Sequence, residues 1–204
     1  MDLHFKMPSA IDLHMYVDRL SKSRLPKEYA EVEYLESSGN QYINAIRSFD
    51  NRIRVYIDFA INEYINDTWI CGVYNSYYSA LYGLGMLNNQ LYKHHPDVEY
   101  NPDVLQIGTI ISGSCFCDDY NSLYLFARSQ AFTEEPSGCF KGKIYHMTAI
   151  RWDNQSTIRD MYPCIRKSDG KPGMYDTVTG EFYTNSGTGE FLYGGTSRSA
   201  GRRV

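Results

Sequence analysis

Hydrophobic and polar residues alternate with a period of two along much of this chain. The alternation is cleanest over residues 53–61, where Ile53, Val55, Ile57, Phe59 and Ile61 interleave with Arg54, Tyr56, Asp58 and Ala60. Period two is the signature of a half-buried strand. Residues 144–152 put Ile144, His146, Thr148, Ile150 and Trp152 on one face and Tyr145, Met147 and Ala149 on the other. Both faces are mixed, as in a central strand packed on two sides. Further strands are predicted over 32–36, 41–46, 68–74, 80–87, 105–111, 123–129, 158–166, 173–176 and 181–184. Asn88-Asn89, between Leu87 and Gln90, reads as a two-residue hairpin turn because Asn tolerates positive φ. Gly83 and Gly85 fall inside a strand, where a bulge or close packing is expected. In the C-terminal third, Asp169-Gly170, Thr179-Gly180, Gly187 and Gly189 punctuate short β-forming runs. Short strands between turn signals predict an all-β, two-sheet antiparallel sandwich over residues 25–193.

The first 24 residues follow a different rule. Ser9 can cap a helix, Asp12 gives a weak capping box, and Leu13, Tyr16, Val17 and Leu20 fall on one face at helical spacing. A short helical leader over 9–21 is therefore predicted, and a helix of about three turns is marginal in water unless it docks. Phe5, Leu13, Tyr16, Val17 and Leu20 would form its attachment face, against other proteins or against further copies of the chain. The alternative is that the helix folds back on its own sandwich. Residues 194–204, Gly/Ser-rich with Arg198, Arg202 and Arg203, read as a flexible basic tail.

The 204 residues suffice for one domain with a sizeable core, and a hydrophobic fraction of 43% excludes global disorder. Nineteen tyrosines and nine phenylalanines suit pleated surfaces and interfaces. A net charge of −4 leaves no electrostatic footprint for nucleic acid. No signal peptide and no membrane-spanning apolar run is legible, so the five cysteines read as reduced thiols made in a cytosol.

Candidate chemistry is sparse. Glu31, Glu33 and Glu36 superficially resemble the paired carboxylates of glycoside hydrolysis, but their flanks, Lys27 and Ser37-Ser38, predict a solvated strand edge. His94 and His95 are adjacent on an extended stretch and point apart, which suits a loop better than one metal ion. Cys115 and Cys117 lack the spacing of a zinc knuckle. No thiol is paired with a histidine in sequence, and no catalytic residue is predicted. Asp118, Asp119 and Asn121, and likewise Asp153 and Asn154, could ligate calcium at a sandwich rim or simply form Asx turns. Tyr74, Tyr77 and Tyr78 could stack on sugar rings or form a protein interface.

Residues 25–46, LPKEYAEVEYLESSGNQYINAI, resemble the usual opening, LPxEYxxVEYLESxGxQYIDTGI, of concanavalin A-like lectin/glucanase (laminin-G-like) jelly-roll domains of bacteriophage and gut-bacterial surface proteins. LYLFAR at 123–128, GKIY at 142–145 and residues 158–191 match later motifs of that group in order, and residues 62–121 are least similar. The chain departs from the group at Asn44-Ala45-Ile46, where Asp-Thr-Gly is usual. The resemblance implies a jelly roll, with calcium ordering its loops as in many lectins. It further implies a virion structural protein, a decoration or fibre component of a capsid, collar or tail, assembled in the host cytoplasm. A glycan-binding adhesion module is the alternative it implies.

Overall fold

The computed structural model describes residues 24–47, 52–75, 80–88, 90–93, 99–101, 107–117, 122–130, 133 and 135–195. Among them the chain is all-β, with no helix. In chain order its strands are β1 (Tyr29–Glu31), β2 (Leu35–Ser38), β3 (Ile43–Ile46), β4 (Ile53–Ile61), β5 (Thr68–Asn75), β6 (Ala80–Leu87), β7 (Gln90–Lys93), β8 (Glu99–Asn101), β9 (Ile110–Cys117), β10 (Leu123–Leu125), β11 (Arg128–Gln130), β12 (Pro136–Ser137), β13 (Lys141–Arg151), β14 (Thr157–Arg166), β15 (Pro172–Asp176), β16 (Phe182–Thr184) and β17 (Leu192–Tyr193). The predicted helix at 9–21 and its attachment residues, Phe5, Leu13, Tyr16, Val17 and Leu20, lie outside the described residues, as does the tail beyond Gly195.

Two sheets form. The first runs β9-β4-β13-β14-β15-β16, with β1 alongside β14 and β2 and β17 continuing from β13. The second runs β12-β11-β5-β6-β7-β8, and β10 joins β3 to β5. β4 explains why the first sheet is amphipathic. Its odd-numbered side chains, from Ile53 to Ile61, are at most 2% exposed, while Tyr56 on the opposite face is 41% exposed. From the second sheet, Ile70, Val73, Leu84, Met86, Leu123 and Leu125 enter the same buried cluster as Val55, Phe59, Met147 and Met161 of the first.

Several predicted elements change. The run 144–152 does not keep one phase, because the β4–β13 register shifts between Ile144 and His146. Ile144, Met147 and Ala149 are therefore all buried, and His146 and Thr148 lie on the outer face. A bulge inserts one residue and moves every later side chain to the other face.

The run 123–129 is broken at Phe126, whose φ is 62°. Its ring is fully buried, 4.9 Å from Phe191 and 6.4 Å from Phe140. The Phe126 N–H donates to Ile70 O at 2.8 Å, and Phe126 O accepts from Phe140 N at the same distance. Burial and two backbone bonds hold a left-handed residue that sequence alone disfavours. Beyond this reversal β11 pairs with β5 in parallel, Arg128 to Gln130 against Gly72 to Tyr74, so the second sheet is not wholly antiparallel as expected. The strand expected at 105–111 instead begins at Ile110, after a turn in which Gly108 has φ of 80°. The strand expected at 32–36 instead begins at Leu35 as β2, after a bend at Glu33, and β1 ends ahead of it at Glu31.

Candidate functional site

The outer face of the first sheet carries an ordered row of polar and aromatic side chains. Each is the lateral neighbour of the next across a strand boundary. Ser112 of β9 pairs with Asp58 of β4, and Asp58 with His146 of β13. One step along from the Met147–Met161 pair, His146 meets Tyr162 of β14, and their rings stack at 4.5 Å. Tyr162 pairs with Tyr175 of β15, and Tyr175 with Phe182 of β16. The reverse face of the same strands holds Ile57, Met147, Met161 and Met174, all in the core.

At the β9 end the row sinks into a shallow depression of about 270 Å³, lined by Tyr56, Ile57, Asp58, Ser112, Gly113, Ser114 and His146. The Ser112 hydroxyl donates to Asp58 Oδ1 at 2.5 Å. His146 Nε2 lies 2.7 Å from Asp160 Oδ1, and Thr148 Oγ1 donates to that same oxygen at 3.3 Å. Thr177 Oγ1 donates to Asp160 Oδ2 at 3.0 Å. Asp160 thus holds the imidazole plane and two threonine hydroxyls, and its place on β14 fixes them relative to β13.

At the other end Tyr29 lies 4.7 Å from Tyr175 and 5.2 Å from Phe182. Guanidinium groups flank these rings, Arg24 over Tyr162 at 4.9 Å and Arg166 over Phe182 at 4.9 Å. The Tyr162 phenol is pushed above its ordinary range, first by burial and then by the Asp160 carboxylate, against the pull of Arg24.

Serine, histidine and aspartate together have the composition of a nucleophilic triad. Here the Ser112 hydroxyl is committed to Asp58 and the His146 Nε2 to Asp160. The arrangement supplies fixed donors, acceptors and ring faces rather than a serine hydrogen-bonded to its base.

Most residues singled out from sequence lie elsewhere. Tyr74 is the penultimate residue of β5, half-buried, with the Arg128 guanidinium 5.5 Å above its ring. Tyr77, Tyr78, Asp118, Asp119, Asn121, His94 and His95 lie outside the described residues. Glu31 is opposite Cys164, and Glu33 occupies the bend. Glu36 accepts from Asn62 Nδ2 at 2.6 Å and lies 4.0 Å from Lys143 Nζ. Asp153 is held by Arg151, which lowers its pKa, while Asn154 Oδ1 accepts from Ser156 N in an Asx turn. No group of three side chains able to hold a metal ion occurs among the described residues. Cys115 and Cys117 are buried in the core, with Cys115 Sγ 3.5 Å from Cys71 Sγ.

The chain matches no family model, no curated protein and no solved structure.

Proposed function

We propose that this chain is a non-enzymatic structural protein of a bacteriophage virion, a capsid, collar or tail component that displays a lectin-like jelly roll. The observation that carries this reading is the apolar leader of residues 1–24, whose Phe5, Leu13, Tyr16, Val17 and Leu20 would dock on other virion proteins or on further copies of the chain. Burying each large side chain of such a leader stabilises a complex by roughly 1.5–3 kcal/mol before entropy costs. The resemblance of residues 25–46, 123–128, 142–145 and 158–191 to phage-associated jelly rolls supports the same reading. Mass spectrometry of purified particles tests it: the chain should be present at a fixed stoichiometry. Its absence from particles, with abundance in the lysate, refutes it.

A second reading, recognition of host-surface or mucosal carbohydrate, is favoured by the outer-face depression. Asp58, Ser112, Ser114 and His146 present hydrogen-bonding groups that can read sugar hydroxyls, and Tyr56 offers an exposed ring beside them. The two readings are compatible, since a displayed sandwich can carry a binding face. A glycan array run with calcium and with chelator separates them. A purely structural protein gives no saturable binding, and calcium-ordered loops lose binding on chelation.

A further inference from the structure

We propose that Lys143 and Asn62 join in an intramolecular isopeptide bond, with Glu36 carrying the proton between them. The three residues come from β13, from the position just after β4, and from β2. β13 runs between the other two strands. Lys143 is opposite Glu36 on one side and Ala60 on the other, and the Asn62 N–H donates to Lys141 O at 3.3 Å. Asn62 is therefore a diagonal neighbour of Lys143, a separation that a long side chain spans.

The side chains of Asn62 and Glu36 meet across β13. Asn62 Nδ2 donates to Glu36 Oε1 at 2.6 Å, and Glu36 Oε2 lies 4.0 Å from Lys143 Nζ. One carboxylate thus stands beside both the amine that attacks and the nitrogen that leaves. Lys141, the other lysine on this face of β13, is engaged by Glu63 at 2.8 Å, which leaves Lys143 as the nucleophile.

The surroundings keep most water away. The side chains of Lys143 and Glu36 are only 26% and 24% exposed. The Tyr34 ring lies 4.3 Å from Nζ, and Tyr145 packs edge-on against it at 5.5 Å. Gly194 closes over Tyr34 so tightly that a Cβ there would come within 2.7 Å of the ring. Burial pulls the Lys143 pKa down, but its hydrogen bond to Tyr34 and the charge of Glu36 hold it above the ordinary range. The amine is therefore mostly ammonium at neutral pH, and the bond forms as a slow maturation.

The step balances without a co-reactant. One proton of the Lys143 ammonium passes to Glu36 and leaves a neutral amine. Nζ attacks Asn62 Cγ, the new C–N bond forms, and the carbonyl electrons move to Oδ1. As they return, the Cγ–Nδ2 bond breaks and Glu36 protonates the departing nitrogen. The second proton shed by Nζ leaves with it, so ammonium is released and Glu36 regains its carboxylate. The reaction runs once per chain.

The test is intact-mass spectrometry of the purified full chain, followed over time from neutral pH to about pH 10, where a lysine amine deprotonates. The mass should fall by one ammonia per chain, on purification or during incubation, and faster as pH rises. Digestion should give a branched peptide joining the segments that hold Asn62 and Lys143. Glu36→Gln keeps an acceptor for Asn62 Nδ2 but carries no proton, and should slow the loss at least about a hundredfold. Lys143→Arg keeps a cation over Tyr34 and should abolish it. A parent chain that retains its full mass throughout overturns the proposal without recourse to any variant. Loss of ammonia that persists in Lys143→Arg, with no branched peptide, also overturns it and marks a succinimide at Asn62 instead. An unchanged rate in Glu36→Gln removes the carboxylate from the mechanism and refutes its role as proton carrier.

Discussion

Asp160 and His146, on neighbouring strands of the first sheet, are joined by a 2.7 Å contact between Oδ1 and Nε2, and the same carboxylate receives the hydroxyls of Thr148 and Thr177. One partly exposed side chain therefore fixes three others drawn from β13 and the β15–β16 turn. Asp160→Ala leaves those partners to find water. Each lost charge-assisted bond has a net value of about 1–2 kcal/mol, reduced by exposure. The midpoint of urea unfolding should fall by an amount equivalent to about 1–3 kcal/mol with an unchanged denaturant slope. An unchanged midpoint would show that the network does not contribute to stability.

The Arg166–Asp169 pair ties stability to pH. Arg166 Nη2 donates to Asp169 Oδ2 at 2.6 Å and Nε to Oδ1 at 3.1 Å, across the turn after β14. This bidentate bond lowers the Asp169 pKa from 3.8 to about 2, helped by the Lys171 N–H. A carboxylate with a depressed folded pKa contributes its full stabilisation above its unfolded value. That contribution is lost as pH falls from about 4 through about 2. Because the pair is exposed, salt screens it and its share of stability is small. Carboxyl-carbon NMR should place the Asp169 midpoint near 2, and Arg166→Ala should return it to the ordinary carboxylate range.

What could be read from the sequence follows from how local each feature is. The strands at 53–61 and 80–87 coincide with β4 and β6, since period two and turn residues are visible within a short window. Leu87 pairs with Gln90 around a two-residue loop in which Asn88 has φ of 52°, as the Asn-Asn signal predicts. The bulge between Ile144 and His146 is not written in its own strand. It depends on β4 alongside, and it decides that His146 faces out with Asp58. The polar phase of β4 was legible as Arg54, Tyr56 and Asp58. Its juxtaposition with Ser112 and Tyr162 was not, because register between distant strands is a tertiary property. Phe126 escaped for a related reason: its left-handed backbone is held by partners at Ile70 and Phe140, far away in sequence.

Gly85 can be tested directly. A Cβ there would lie 2.7 Å from both the Thr68 carbonyl and the Trp69 indole, where β6 crosses the β5 register shift between Trp69 and Cys71. Trp69 is fully buried and cannot swing away. Gly85→Ala should therefore destabilise by about 2 kcal/mol or more through overpacking. Thermal unfolding checks this, and an unshifted melting temperature would mean that the two strands can separate at no cost.

The thiols should differ in reactivity by burial. Cys71 and Cys115 are fully buried. The pKa of Cys71 is held well above the ordinary range, first by its contact with Cys115 and then by burial. Burial pushes Cys164 up to about 12. Cys139 is half-buried and only raised. Since the thiolate is the nucleophile, pulse alkylation near pH 8 followed by peptide mapping should label Cys139 first. In denaturant all five should react. Labelling of Cys71 as fast as Cys139 would indicate that the two sheets open under native conditions.

Arg24, the first described residue, lies over the Tyr162 ring, and Leu25 is 5% exposed. The chain is therefore anchored to the body from this point onward. Upstream, Phe5, Leu13, Tyr16, Val17 and Leu20 are apolar side chains whose burial is worth several kcal/mol to whatever covers them. If that partner is another virion protein or another copy, a chain beginning at Arg24 should remain soluble and keep a cooperative unfolding transition near that of the full chain. It should also fail to enter particles or oligomers, by sedimentation and by mass spectrometry of the purified virion. Loss of the cooperative transition would instead assign these residues to the core of the two-sheet body and end the attachment reading. Leu13→Asp with Val17→Asp in the full-length chain separates the same two outcomes without truncation. Abolished assembly with an unchanged melting temperature supports attachment, and a lowered melting temperature supports packing on the body.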